Sequence, residues 1–466
     1  MRIRVLSFFS VLGLTLLCVD ASGQTTLTSL VNYALEHSRD IKKSELQRKE
    51  ADYMRKEAIG YGLPQVEASA SYSKMKLPDI GISDSASIKI GGILDMMIND
   101  GVSADVRQDI KDQLTGIINQ LGSIDAMYTA TAGVQVTQLI YSQSYWVGLK
   151  TSKKAQELYS ILKTKSEEDI IAEVASGYYQ AGSLILQLQT VDKSINNLKE
   201  IHRIAELSYK NDFIKESQVN RLKVSIANLE VTRQTIQNGV NIQLNYLKAL
   251  AGMPSDSLIA IDTLNLVTDF IRNNNTSNFT AENVPAYQAL LKQNEIYGQQ
   301  VKLSKAKFYP TIAAFGKLSY SSYNTEAKIN DWSNSTTFGL SLTMPIFSSG
   351  VNYHKVKQAQ IKQLQLKEDI LKTKDLLEVS YNNAFLEYQT SQSMLAPQQE
   401  NKELALKVYN QTASLYKEGM ASLADLLNVN SEFLQADNSY NQQILKCKTA
   451  EIKMLQASGN LKSMLK

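Results

Sequence analysis

The residue types that carry catalytic chemistry are present in this chain but scattered. His37, His202 and His354 stand far apart, with no spacing that gathers metal ligands on one turn. Ser304-Lys305-Ala306-Lys307 matches S-x-x-K, but a lysine-rich helix produces that pattern by composition, and no companion motif accompanies it. No glycine-rich phosphate loop occurs. No catalytic residue, cofactor or metal is therefore expected, and the chain reads as a non-enzyme. Its net charge of +3 over 466 residues leaves no electrostatic footprint for nucleic acid.

The chemistry that remains is recognition. Tyr416-Lys417-Glu418-Gly419-Met420-Ala421-Ser422-Leu423-Ala424-Asp425-Leu426 reads as a tight reversal between two helices, with glycine at the turn. The same kind of stretch stands once earlier, from Tyr209 to Ser217. Both are expected to be tips of long helical hairpins. Small residues such as Gly419, Ala421 and Ser422, beside Met420, permit close approach of another helical tip. By correspondence Asp212, Phe213, Ile214, Lys215 and Ser217 form the other tip. A plain helix-helix turn is the competing reading of both.

The elements that must hold these tips follow from periodicity. Arg2 and Arg4, the apolar run Val5–Val19 and the small residues Ala21-Ser22-Gly23 read as a signal peptide over 1–23. Cys447 is then the single cysteine of the mature chain, so no intramolecular disulfide is expected. Residues from about 27 to 60 have a helical pattern. Leu63–Ser73 alternates strictly, with Val66, Ala68, Ala70 and Tyr72 on one side. A second alternating run, Tyr128–Ile140, sets Tyr128, Ala130, Ala132, Val134 and Val136 against Thr129, Thr131, Gln135 and Thr137. The long connection 74–127 holds an amphipathic segment (Val106, Ile110, Leu114, Ile117, Leu121), with Ser103 placed to cap it. A helical hairpin is expected over 142–252. Its return arm carries a heptad seam from Val219 to Leu250, interrupted only by Arg233 and Gln243. Residues 255–283 form a polar linker.

The order then repeats over 284–466: a helix, a strand hairpin over 310–347, and a helical hairpin over 348–459. Tyr209 and Tyr416 stand 207 apart, as do Gly252 and Gly459, while Ile140 and Ile346 stand 206 apart and Pro64 and Pro310 stand 246 apart. Residues 24–254 are thus a first structural repeat, with its surplus in the 74–127 connection. Pro397 should kink the second hairpin's outgoing helix. The four strands are expected as two separated hairpins. Apolar residues facing out and small polar residues facing in fit a lipid-facing barrel with a wet lumen, with Tyr72, Tyr128 and Tyr320 as interfacial residues.

With the paired strand-helix repeats, the strand lead-in Lys307-Phe308-Tyr309-Pro310, the strand exit Thr343–Gly350 and the tip Tyr416–Leu426, the chain resembles the TolC-like outer-membrane efflux channel family. The resemblance covers essentially the whole mature chain. It implies an α+β membrane protein, with four transmembrane β-strands per chain completing a twelve-stranded β-barrel in a homotrimer. A long antiparallel α-helical barrel with coiled-coil hairpins would continue it into the periplasm of a Gram-negative bacterium. It also implies a passive exit duct for small molecules or proteins in a tripartite efflux or type I secretion system. The partners would be outer-membrane lipid, a periplasmic adaptor (membrane fusion) protein at the tips and an inner-membrane transporter of RND or ABC type. An Asp after the tip helps close the entrance in this family, which puts Asp425 at a gate with Tyr416, Tyr209, Lys417 and Lys210 as candidate partners; a solvated aspartate at a helix N-terminus, favoured by the macrodipole, is the competing reading. The first tip departs from the pattern, with Asp212 in place of Gly419 and Gln218 in place of Asp425. A periplasmic coiled-coil adaptor without a pore is the alternative, and the four alternating strands argue against it.

Overall fold

The computed structural model describes residues 25–76, 103–122, 126–263 and 279–465. In chain order these form α1 (Leu27–His37), α2 (Arg39–Gly60), β1 (Gln65–Lys76), α3 (Ala104–Gly122), β2 (Ala126–Ser142), α4 (Gln143–Lys210) and α5 (Glu216–Ala251). There follow α6 (Pro285–Ala306), β3 (Thr311–Asn324), β4 (Ser333–Thr343), α7 (Val351–Ser393), α8 (Leu395–Lys417) and α9 (Leu423–Ala457). Two compact units result: Met1–Ala51 with Lys154–Glu295 and Gln363–Lys466, and Asp52–Lys153 with Ile296–Lys362. The signal-peptide segment 1–23 lies outside the described residues, as do most of the linker and much of the 74–127 connection.

Several boundaries differ from the sequence expectation, each for a local reason. The helix expected over 27–60 is split at Ser38, whose ψ of 140° turns the chain while its hydroxyl accepts from the Asp40 N–H. The second strand hairpin, expected over 310–347, ends at Thr343, because Pro345 has no N–H to give a ladder. The kink attributed to Pro397 appears as a break at Met394, between α7 and α8. Proline there takes away the hydrogen bond that would reach the Ser393 carbonyl, so the helix parts just upstream.

The strand-bearing unit departs from expectation in its pairing. Instead of two separated hairpins it forms one four-stranded antiparallel sheet in the order β1-β2-β3-β4. β2 and β3, far apart in sequence, pair from Tyr128↔Asn324 to Ser142↔Thr311, with a bulge at Ile140. Residues directly opposite in an antiparallel sheet share a face. Val66, Val136, Gly316 and Phe338 therefore line up across the four strands, and so do Ala68, Val134, Leu318 and Thr336. The other face carries the rows Glu67-Gln135-Lys317-Thr337 and Ser69-Gly133-Ser319-Ser335. One face is apolar and bare, with Phe338 84%, Leu340 75% and Val66 67% exposed, and the opposite face is polar. Every residue of β1 is exposed, and all of β4 except Gly339. No described helix is long and apolar enough to cross a membrane.

The helix-rich unit is held by two seams. Along α5, Val219, Leu222, Ile236, Val240 and Leu247 are buried, each burial worth about 1.5–3 kcal/mol. The two polar residues of the heptad both find partners on α4. Arg233 donates to Asp192 at 2.5 Å, and Gln243 donates to the Gly177 carbonyl at 3.3 Å. Gly177 lets the helices close there, since a Cβ would lie 2.8 Å from a Leu247 methyl. The inner side of α9 is more polar than its sequence suggests. Asn430 accepts from Ser194, Asp437 pairs with Lys402 at 2.7 Å, and the fully buried Lys448 pairs with Glu451 at 3.3 Å.

The internal repeat is geometric as well as sequential. Gly252 and Gly459 are both left-handed, with φ of 71° and 70°. A Cβ on Gly252 would sit 2.4 Å from the His37 carbonyl oxygen, and a Cβ on Gly459 would sit 2.4 Å from that of Asn283. The glycines are 207 apart and the carbonyls 246 apart, which are the offsets seen in the sequence. Gly252→Ala or Gly459→Ala should each cost roughly 2 kcal/mol or more, through both strain and contact. Gly239→Ala, whose Cβ would lie an ordinary 3.7 Å from Leu184, should be neutral or stabilising. Thermal melts of the detergent-solubilised protein measure the difference.

Candidate functional site at the helical tips

The four helices α4, α5, α8 and α9 meet at two turns, and both turns close by the same backbone pattern. At the first, the Phe213 N–H donates to the Ser208 carbonyl and the Asp212 N–H to the Tyr209 carbonyl, both at 2.9 Å. At the second, the Met420 N–H donates to the Leu415 carbonyl at 2.8 Å and the Gly419 N–H to the Tyr416 carbonyl at 3.1 Å. Each pair of bonds is a Schellman turn, which demands a left-handed residue after the helix. Gly419 meets that demand with φ of 76°, without a Cβ to strain. Asp212 meets it with φ of 61°, and a non-glycine residue held there is disfavoured by roughly 1 kcal/mol or more.

The restart of the helix also differs. Ser422 caps α9: its hydroxyl oxygen accepts from the Asp425 N–H at 3.1 Å. The Asp425 carboxylate accepts from the Ser422 hydroxyl at 2.6 Å and from its N–H at 3.3 Å. This is a complete capping box. At the first tip the cap position falls to Lys215, whose side chain makes no capping bond. The second tip is therefore clamped at both sides of its turn, and the first at one.

The structure brings the two tips onto one cluster. Leu198, Ile201, Ala205, Val219, Leu222, Tyr409, Leu423 and Leu426 are buried together, with Ile214 and Tyr416 packed against them. Burial pushes the phenols of Tyr409 and Tyr416 above their ordinary range, opposed at Tyr409 by a hydrogen bond from Asn197. Tyr409, stacked on Phe433 with centroids 5.9 Å apart, joins this cluster without having been singled out in the sequence. Its position on the apolar stripe of the helix leading to the tip was the available signal.

Other predicted residues stay outside. Asp212, Ser217, Gly419, Ser422, Lys417 and Asp425 are exposed, Ala421 is half-buried, and Tyr209 is 41% exposed. In a Schellman turn the residue after the left-handed position usually packs back onto the helix. Here that residue is Phe213 at one tip and Met420 at the other, and they are 81% and 67% exposed. Within one chain the Asp425 carboxylate is taken up by Ser422 and bonds none of Tyr209, Tyr416, Lys210 or Lys417. An open groove of about 820 Å³ runs along α8, lined by Leu406, Asn410, Ser414 and Leu415 among others.

These features agree with what known proteins show. Residues 278–460 match the family described as outer membrane efflux protein. The outer membrane protein TolC of Salmonella enteritidis is 21% identical over 239 residues, 49% of this chain and 48% of that protein. The chain thus aligns with about half the length of the curated relatives it matches. The fold extends further. The outer membrane protein VceC of Vibrio cholerae superposes with a TM-score of 0.65 at 15% identity, covering 93% of this chain and 96% of that one. The outer membrane channel CmeC of Campylobacter jejuni gives 0.68 at 15% identity, over 99% and 94%. The chain thus matches the outer membrane efflux protein family over most of its second half and shares the fold of these outer-membrane channels over nearly all its length.

The inequality of the tips is measurable. Asp212→Gly should stabilise the first turn by about 1 kcal/mol, and Gly419→Ala should destabilise the second by a similar amount. Ser422→Ala should cost about 1 kcal/mol through the lost cap. Hydrogen exchange of the amides at 208–218 and 415–426 reads all three.

Proposed function

We propose that the chain is one subunit of a passive exit duct, a homotrimer in which three four-stranded sheets close into a twelve-stranded barrel. The observation that carries this reading is the sheet itself. It has one bare apolar face, one polar face and two open edges, and lipid offers an open strand edge no partners. Several copies joined β4 to β1 leave no edge. The helices, some 68 residues long in α4, continue the passage across the periplasm; at 1.5 Å per residue α4 spans on the order of 100 Å.

At the far end the tips dock a periplasmic adaptor, which connects to an inner-membrane transporter of RND or ABC type. The exposed Phe213 and Met420 support this, as does the groove along α8. Small molecules or proteins cross by diffusion, driven by the transporter. Gly419, Met420, Ala421 and Ser422 form the main docking edge. Asp212, Phe213, Ile214 and Ser217 form the second. Asp425, with Tyr416, Tyr209 and Lys417, borders the entrance, where contacts between subunits complete the closure. A heat-modifiable trimer in the outer-membrane fraction, with ion conductance in planar bilayers, is the expected behaviour. A monomer without conductance would refute the duct.

Asp425 has two jobs in this reading, a cap within its own helix and a gate toward its neighbours. Ser422→Ala removes most of the first and leaves the carboxylate. Asp425→Ala should therefore raise single-channel conductance severalfold more than Ser422→Ala does. Equal effects of the two substitutions in planar bilayers would reduce Asp425 to a helix cap.

A further inference from the structure

Four helices, α2, α4, α6 and α7, join the sheet at one end. Gln65 stands opposite Thr137, and Thr311 stands opposite both Ser142 and Thr343, so β1 and β3 begin there and β2 and β4 end there. The stretches flanking that end are 52–64, 143–153, 296–310 and 344–362, all within the strand-bearing unit. They carry nine exposed lysines: Lys56, Lys150 and Lys153; Lys302, Lys305 and Lys307; and Lys355, Lys357 and Lys362. Against them stand two carboxylates, Asp52 and Glu57, with Glu67 just inside β1. Glu57 accepts from the Tyr61 hydroxyl at 3.0 Å. Among the described residues, none of these nine lysines forms an ion pair of the kind seen in the helix-rich unit, such as Lys154 with Glu295 or Lys163 with Glu45.

Large exposed side chains are interleaved with the lysines. Tyr53, Tyr61, Trp146, Tyr309, Phe347 and Tyr353 are all at least half exposed. Lys56 lies 4.9 Å from the Tyr53 ring centre and Lys357 lies 5.6 Å from that of Tyr353. Aromatic rings with an apolar body and a wet edge favour the headgroup level of a bilayer, and lysines there meet phosphates. A surface facing only water gains nothing from crowding like charges, which repel one another.

We propose that this collar of lysines and aromatic side chains at the helical end of the sheet binds the headgroups of anionic phospholipids in the leaflet it adjoins. The bare apolar face of the sheet meets acyl chains, the rings mark the boundary, and the lysines reach the phosphates. The partner is a lipid surface of negative charge, recognised by its phosphates. The inference rests on the strands lying in a membrane.

The test uses the full chain and separates that premise from the inference. Insertion into vesicles of pure phosphatidylcholine is read first, and failure to insert overturns both. Association of fluorescent phosphatidylglycerol and phosphatidylcholine with the protein in mixed micelles is then compared. A preference of about tenfold for phosphatidylglycerol is expected at about 0.1 M salt, falling toward unity by about 1 M. The variant K305Q/K307Q/K355Q/K357Q should lose most of that preference. The variant K367Q/K372Q/K374Q/K446Q, which alters exposed lysines of the helix-rich unit, should keep it. Wild-type protein that inserts yet shows no preference overturns the proposal without needing any variant to fold. So does a preference kept by the first variant, or one abolished by millimolar inorganic phosphate, which would indicate a free-anion site. If the first variant changes permeation of an anionic dye and leaves lipid preference intact, the lysines face the passage instead and the proposal fails.

Discussion

The backbone hydrogen bond at an open strand edge is the constraint on which this structure depends. Each strand carries a row of N–H and C=O groups that hydrocarbon cannot satisfy, at several kcal/mol for each group left open. The β2–β3 ladder settles part of that demand within one chain, across a separation that no turn spans. The outer edges of β1 and β4 remain. The helices answer to a different constraint. Their backbones are satisfied internally, so they are free to be long, and they hold together through narrow seams with paired polar interruptions such as Arg233 with Asp192.

Duplication organises both units. The register Gln65↔Thr137 in the first half becomes Thr311↔Thr343 in the second, and the contact of Gly252 with His37 becomes that of Gly459 with Asn283. The copies have diverged where they are exposed. One tip has glycine and a capping box, whereas the other has a strained aspartate and an uncapped lysine. Buried backbone contacts tolerate little change, because a Cβ at 2.4 Å from a carbonyl has no way to relax. Turns that meet solvent tolerate more, and the two tips have used that latitude.

Much of the fold is legible in the sequence because periods of two and of three to four residues are physical. Alternation at Val66–Tyr72 and the heptad from Val219 to Leu250 give the elements and their faces. The partner of β2 is not legible, since pairing between distant strands leaves no local mark. Gly419 announces its turn, but Asp212 does not, because few aspartates are left-handed. Ser422 and Asp425 spell a capping box, and a reading of Asp425 as a gate alone passes over the bond nearest to it. The pairing of Lys402 with Asp437 depends on how α8 crosses α9, which no spacing along one helix reveals.

The break at Met394 has a mechanical consequence. A helix yields first where a backbone bond is missing. The outgoing arm of the second hairpin is therefore two stiff rods, of 43 and 23 residues, meeting at a joint. The outgoing arm of the first hairpin is one continuous rod of 68 residues. A load applied to the better-clamped tip is taken up as rotation at the joint, whereas a load on the other tip travels along the whole rod. The two hairpins therefore differ in how they would bend as well as in sequence.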